Sequence, residues 1–350
     1  MEDKAALQAL RRVKNPPNPY HHSHLEWLDV EPPEVELEIY EEQAKSILSE
    51  NKSPDVGFRY SVNPYRGCFH GCAYCYARPS HQYLDFGAGT DFERKLIVKT
   101  NAPRLLREAF MRPSWRGELI IFSGNTDCYQ PLELSYELTR KCLTVCHEFK
   151  NPVAIITKGA IIRRDVSLLQ ALARDASVHV TISLAFHDDE TSKLLEPYAP
   201  RPSIRLRALR ELAGAGIPVG IGLAPVIPGL NDHQIAQILQ AAHEHGATTA
   251  FMTLVRLPRE VKPVFIERLQ NSFPNRAKKV LAGIEEMRGG RLNRSDFGGR
   301  MHGEGARWEA IEWMFAETCK KLGMNKIDDS DFESKSTFRR PTGQLELFKP

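Results

Sequence analysis

The sequence predicts an α/β fold: an open, partial (β/α)6 barrel of the TIM type with an N-terminal extension and a helical C-terminal part. Short β-branched or aliphatic runs recur roughly every thirty residues, with helical patterns between them. The polar residues gather where those runs stop.

The runs are Phe58–Asn63, Leu119–Ser123, Val153–Thr157, Val178–Leu184, Val219–Ala224 and Phe251–Val255. Helical candidates between them include Leu132–Phe149, Leu206–Ala215 and Asp232–His245. In the last, Asp232 can cap the N-terminus, Ile235, Ile238, Leu239 and Ala242 share one face, and Gly246 can end the helix. Strands alternating with helices imply a parallel sheet, and six units are too few to close an eightfold barrel. A doubly wound open sheet is the competing arrangement. Either way ligands collect at the C-terminal strand ends. Those ends run here into a cysteine loop, "SGNTD", "TKG", "SLAFHDD", "APVIPG" and "RLPR".

Residues 58–256 form this core. Residues 1–57, rich in proline and charge, form an extension with a short helical candidate around Glu41–Glu50. Residues 257–324 make a helical, basic region, and 325–350 a polar, flexible tail. The chain has 350 residues, 42% hydrophobic and 26% charged, enough for a large core. A net charge of +3 is too mild to mark a nucleic-acid binder by itself. The first residues lack the apolar stretch of a secretory signal and no run is long enough for a bilayer, so the expected location is the cytoplasm. Seven cysteines in a reducing compartment serve as metal ligands, reactive thiols or core residues.

Three of the seven stand within eight positions, in "RGCFHGCAYCYARP". At this cysteine content the spacing C-x3-C-x2-C arises by chance with a probability of roughly 0.003, so it carries meaning. A zinc site needs a fourth ligand, from His70 or His81. A redox pair of Cys72 and Cys75 leaves Cys68 unexplained. An iron–sulfur cluster on three thiolates leaves one iron open, as catalysis by a cluster requires. Gly67 and Gly71 allow the tight turns such a loop needs.

At these residues the chain resembles the radical S-adenosylmethionine (SAM) superfamily, whose signature C-x3-C-x-Φ-C has Tyr74 at the aromatic place. The resemblance implies a [4Fe–4S] cluster on Cys68, Cys72 and Cys75, with SAM on the fourth iron. It also implies reductive cleavage of SAM to a 5′-deoxyadenosyl radical, and an electron donor such as flavodoxin or ferredoxin. Over residues 58–256 the chain is most similar to the spore photoproduct lyase-like (DNA repair photolyase-like) branch. "YCY" at Tyr74–Tyr76, "NTD" at Asn125–Asp127, "TK" at Thr157–Lys158, Ser183 and "AP" at Ala224–Pro225 carry that likeness. By it, Tyr74 and Tyr76 are catalytic candidates, and Thr126, Lys158, Ser183 and Ala224 are SAM contacts. One departure stands out. Gly124 replaces the lyase's hydrogen-donating cysteine, and Cys128 is the nearest substitute, or else a small residue in a turn. Cys142, Cys146 and Cys319 fit core packing. His187, Asp188 and Asp189 could contact substrate or form a charged loop.

Between Arg256 and Arg307 twelve Lys and Arg face six Asp and Glu, an excess larger than that of the whole chain, so the remainder is net acidic. Basic residues beside a site mouth suit a phosphate backbone. The stretch Gly289–Gly305 is a candidate substrate loop. The tail ends in "QLELF", which resembles the bacterial sliding-clamp-binding motif. By that resemblance Gln344 makes polar contacts while Leu345, Leu347 and Phe348 fill apolar subsites. The expected function is a radical SAM enzyme acting on a damaged or modified DNA base. The alternatives are a radical SAM enzyme of RNA, protein or a small molecule, and a non-catalytic metal-stabilised nucleic-acid-binding module.

Overall fold

A computed structural model describes residues 10–13, 37–326 and 336–341; for 10–13 only the backbone course is given. The strands, in chain order, are β1 (Leu10–Val13), β2 (Glu38–Glu42), β3 (Leu48–Glu50), β4 (Tyr60–Val62), β5 (Tyr65–Arg66), β6 (Lys95–Lys99), β7 (Ile120–Phe122), β8 (Val153–Thr157), β9 (Val178–Ser183), β10 (Val219–Val226) and β11 (Thr249–Leu254).

β4, β7, β8, β9, β10 and β11 pair in parallel, each with the next in sequence. The order β11-β10-β9-β8-β7-β4 never reverses, so there is no switch point and the doubly wound alternative falls. The six sequence runs coincide with these six strands. The longer helices are α1 (Ala102–Met111), α2 (Leu138–Glu148), α3 (Val166–Asp175), α4 (Pro202–Gly214), α5 (Ile235–Glu244), α6 (Val261–Ser272), α7 (Pro274–Glu286) and α8 (Ala306–Leu322). The apolar faces of α1–α5 and α8 join the strands in one large core that includes Phe122, Ile155, Val180, Ile221, Leu169, Leu209 and Ile238.

The helical reading of Glu41–Glu50 is overturned. Ile39, on β2, is buried against Leu96 and Val98 of β6, to which β2 pairs in parallel, while β3 adds antiparallel to the edge strand β4. Ladder pairing and one buried face outweigh helix propensity here. β6 itself went unread, although Leu96, Ile97 and Val98 form a wholly buried apolar run. The extension thus supplies strands to both sheets.

Two other local expectations change. Leu132–Phe149 is not one helix: Glu137 has φ 53° and divides a short turn, Glu133–Tyr136, from α2. The buried Glu133 carboxylate accepts from the amides of Thr139 (2.9 Å) and Arg140 (3.1 Å), answering the open N-terminus of α2. Asp232 does not cap α5. Its carboxylate takes the Gly229 amide and Arg307 Nη2, both at 3.0 Å, and a 3-10 turn precedes the helix.

Helices α6 and α7 pack their buried faces (Val261, Phe265, Leu269, Val280, Ile284) into one cluster with Ala73 and Tyr74 of the cysteine loop. The C-terminal region therefore buttresses the site directly. No helix among the described residues is long and apolar enough to cross a membrane.

The tail reading also changes in part. Residues 336–341 lie against the barrel, near the chain entering β7 and β8, the ends opposite the strand mouths. Phe338 rings with Phe110 and Phe149 at 6.0 and 6.1 Å, and Arg340 donates to the carbonyls of Phe110, Arg112 and Trp115. The "QLELF" segment lies outside the described residues. Phe338→Ala should lower unfolding stability by about 1–3 kcal/mol, less than for a fully buried ring, in denaturant titrations. An unchanged midpoint would show that the segment contributes no docking energy.

Candidate functional site

The three-cysteine loop crosses the C-terminal strand ends, and several polar groups of its backbone are answered from other elements. Gly67 (φ 73°) and Gly71 (φ 66°) make its turns. A Cβ on Gly67 would stand 2.9 Å from His81 and Leu96 atoms, so the loop also packs too closely there for any side chain. The Cys68 amide donates to Phe92 O (2.9 Å) and the Ala73 amide to Leu195 O (2.9 Å). Gln130, fully buried, accepts from the Phe69 amide at 3.0 Å and donates to Gly67 O at 3.1 Å. Arg78, also buried, donates to Gly71 O and Cys72 O, both at 3.0 Å, and pairs with Glu93.

Cys68 and Cys72 are buried and Cys75 is half-buried. Burial pushes the Cys72 thiol up to about 12, an upward push that Lys158 partly offsets, and raises Cys68 as well. Thiols in such a place carry charge only when a cation of the site compensates it, which suits ligation by iron. No three His, Cys, Asp or Glu side chains among the described residues converge tightly enough to hold a single metal ion. The zinc alternative also loses its fourth ligand. His70 lies 3.4 Å from Asp127, and His81 bonds Lys95 O at 2.8 Å between the rings of Phe86 and Phe92.

Tyr74 is buried, and its hydroxyl donates to Glu196. Glu196 accepts from Ser192 Oγ (3.0 Å) and forms an ion pair with Arg205, both partners 1% exposed or less. Arg205 in turn donates to Ser183 O at 3.1 Å. Burial opposes the Glu196 charge, yet Arg205 and Lys158 hold its carboxyl below the usual range.

The expected SAM contacts come together on three successive strand ends. Lys158 Nζ donates to Ser183 Oγ at 3.0 Å and lies 5.7 Å from the Tyr74 ring centre; Ser183 Oγ lies 3.5 Å from Ala224 O. Burial disfavours the Lys158 ammonium, but Cys72 and Glu196 raise its affinity for the proton above the ordinary value. A half-buried cation, a hydroxyl and a carbonyl in a row can receive a carboxylate and a ribose.

Other expectations land differently. Thr126 is buried with its hydroxyl on Tyr65 O (2.9 Å), so it braces the loop. Cys128 is 1% exposed within the main apolar core, which favours packing over contact with a substrate. Cys142, Cys146 and Cys319 are buried as expected. Asp188 caps a short helix through the Thr191 amide, Asp189 holds Ser203, and the His187 amide meets Gln234. Tyr76 is half exposed, and its hydroxyl donates to Gly124 O.

The residue that sequence reading passed over is Asp127, the last of "NTD". Its carboxylate accepts from Thr157 Oγ1 and from the amides of Lys158 (2.7 Å) and Tyr129 (2.9 Å), with His70 beside it. It thereby ties β7, β8 and the cysteine loop together. Burial works against its charge, but His70 and these donors hold it well below the carboxylate range. An acidic residue ending a strand among hydroxyls was the available signal. Glu196 and Arg205 carried none, being over a hundred positions from Tyr74 or its loop.

Glu196→Gln should lower unfolding stability by about 3–5 kcal/mol, because it leaves Arg205 buried without its counter-charge. Tyr74→Phe keeps that pair and should cost only about 1–2 kcal/mol. Equal losses in denaturant titrations would contradict the arrangement.

The chain is 40% identical over 217 residues to an uncharacterized protein of Mycobacterium tuberculosis, 61% of this chain and 63% of the relative. It thus spans under two thirds of that relative's length. It is 29% identical over 196 residues to an uncharacterized protein of Methanocaldococcus jannaschii, covering 56% and 70%. Among solved structures it is similar to spore photoproduct lyase complexed with dinucleoside spore photoproduct. There the TM-score is 0.59 at 14% identity, over 82% of this chain and 80% of that one. A second structure of that lyase, with AdoMet and the dinucleoside bound, gives a TM-score of 0.57, also at 14% identity, over 78% of each chain. At that identity the likeness is one of fold. The profile of the Radical SAM superfamily, whose members use a [4Fe–4S] cluster and SAM, matches residues 62–242. The chain belongs to the radical SAM superfamily.

Proposed function

We propose that this protein is a radical SAM enzyme acting on DNA, at a damaged or modified base. The observation that carries the reading is the convergence, at one set of strand mouths, of the three-thiol loop with the row Lys158–Ser183–Ala224. Cys68, Cys72 and Cys75 would hold the cluster, leaving one iron for the methionyl end of SAM. When bound, that pair supplies one-electron cleavage of the sulfonium and a 5′-deoxyadenosyl radical able to abstract hydrogen. Lys158 orients the SAM carboxylate, Ser183 and Ala224 O meet the ribose, and Tyr74 walls the site. Helices α6 and α7 behind Tyr74 keep water from that side. The electron arrives from a flavodoxin or ferredoxin, in the cytoplasm.

The shared fold with a lyase solved with a dinucleoside photoproduct supports a nucleic-acid substrate. The lyase reaction itself does not carry over, since Gly124 offers no thiol and Cys128 is packed in the core. A second reading, a substrate other than DNA, draws on one observation. Much of the basic excess is spent internally: Arg294 pairs with Asp296 and Glu304, Arg300 with Asp55, and Arg307 with Asp232 and Glu286. For the tail, the resemblance of Gln344–Phe348 to a clamp-binding peptide, three positions beyond the docked segment, supports recruitment by a sliding clamp.

Lys158→Met should weaken SAM binding about tenfold or more, measured by equilibrium dialysis on reduced, reconstituted protein. Undiminished affinity would remove Lys158 from the cofactor site. Irradiated and intact duplexes should both bind, with the damaged one raising deoxyadenosine yield. A protein with no DNA affinity at any salt would leave the second reading standing. Deleting residues 344–350 should abolish clamp pull-down, and unchanged recovery would refute the docking idea.

A further inference from the structure

Beside the site, Arg256 stands two residues past the end of β11, with its guanidinium carbon 5.8 Å from the centre of the Tyr76 ring. Tyr76 follows the ligand candidate Cys75 directly, and its hydroxyl bridges to Gly124 at the end of β7. The arginine therefore lies across the mouth from β7, over the exposed face of the cysteine loop.

Its bonding is poor for a guanidinium. No carboxylate among the described residues pairs with it. Nη1 reaches only the thioether of Met301, at 3.5 Å, and Nε is buried without an acceptor. A thioether is a weak acceptor, whereas a guanidinium has five donors shaped for carboxylate or phosphate oxygens. Its neighbours are bonded more fully, although Arg288 Nη1 also lacks an acceptor. Arg300 is paired with Asp55, which also takes the Gly298 amide at 2.6 Å, pinning the 289–305 loop to the segment before β4. Arg288 is buried and bonds the carbonyls of Leu254, Val255 and Arg300, fixing the strand end on which Arg256 sits. Burial and the nearby Arg300 both disfavour the charge on Arg256. Such a residue costs stability as it stands, and an incoming anion would relieve that cost. Phe297, 62% exposed with the Arg300 guanidinium 4.8 Å from its ring centre, adds an outward aromatic face to the same rim. A cation beside open aromatic faces is how single nucleotides are held.

We propose that Arg256 is the phosphodiester contact of the substrate, holding the backbone beside the nucleotide presented to the cysteine loop, with Tyr76 packed against its guanidinium. This rests on the DNA reading above. Arg256 binds the backbone and touches no reacting atom; it sets which nucleotide faces the loop.

The test uses full-length reconstituted protein and a labelled duplex, with affinity followed by anisotropy from about 50 to about 200 mM salt. Variants are compared at equal iron content. Arg256→Gln should weaken binding about five- to tenfold at low salt, equally across sequences, and flatten the slope of log affinity against log salt by about 0.9. Arg256→Lys should keep the slope. Arg104→Gln, which alters an exposed arginine paired with Glu108 on α1, should change neither. A wild-type slope in Arg256→Gln overturns the inference while leaving the DNA reading intact. So does a loss of SAM affinity with DNA binding untouched, which would make the cofactor carboxylate the anion. A wild-type protein that binds no duplex overturns both.

Discussion

A loop that carries three thiols can be buried only if its backbone is held by something other than regular secondary structure. Here that requirement is met largely by side chains, one from the end of the loop and others from far along the chain. Gln130 clamps both Gly67 and Phe69, Arg78 clamps Gly71 and Cys72, and Glu196 takes the Tyr74 hydroxyl. Two of these are charged and buried, so each needs its own partner, Glu93 for Arg78 and Arg205 for Glu196. Ion pairs of this kind add little net stability over apolar replacements, but losing one member is costly. What they give this chain is a loop whose backbone is held at several points, and with it the three sulfurs.

The same chain of contacts connects the loop to the row Lys158–Ser183–Ala224. Arg205 bonds Ser183 O, Ser183 accepts from Lys158, and the Lys158 amide rests on Asp127, which His70 of the loop approaches. The ends of β7, β8 and β9 are therefore positioned by the groups that position the cysteines. Change at one place should be felt at the others, as expected of side chains sharing a buried polar network.

Much of this was legible in the amino-acid order, and the reason is locality. The six parallel strands announce themselves as β-branched runs, and C-x3-C-x2-C is contained in eight residues. That Lys158, Ser183 and Ala224 lie together could be foreseen because each stands at the end of such a run. What stayed hidden depends on partners far apart in the chain. Glu196 and Arg205 are ordinary in isolation, and nothing near Phe338 shows that Phe110 and Phe149 await it. β2 was misread as the start of a helix because its strand character comes from β6, which was itself missed. Thr126 was read as a ligand contact, but the backbone of Tyr65 needed its hydroxyl first.

The basic C-terminal region shows why charge counts are poor guides to surfaces. Several of its arginines serve the fold, as braces under β11 or in pairs on the 289–305 loop. Among the described residues Arg288 and Arg256 both lack a carboxylate, but Arg288 bonds three backbone carbonyls while Arg256 has only a thioether. The whole reading turns on whether the three thiols hold an iron–sulfur cluster that cleaves SAM. The direct measurement is iron per chain, together with deoxyadenosine released under reductant, in anaerobically reconstituted protein and in Cys68→Ala, Cys72→Ala and Cys75→Ala. About four irons and deoxyadenosine are expected for the native chain, with both lost in each variant; wild-type iron and product in any one of them would contradict it.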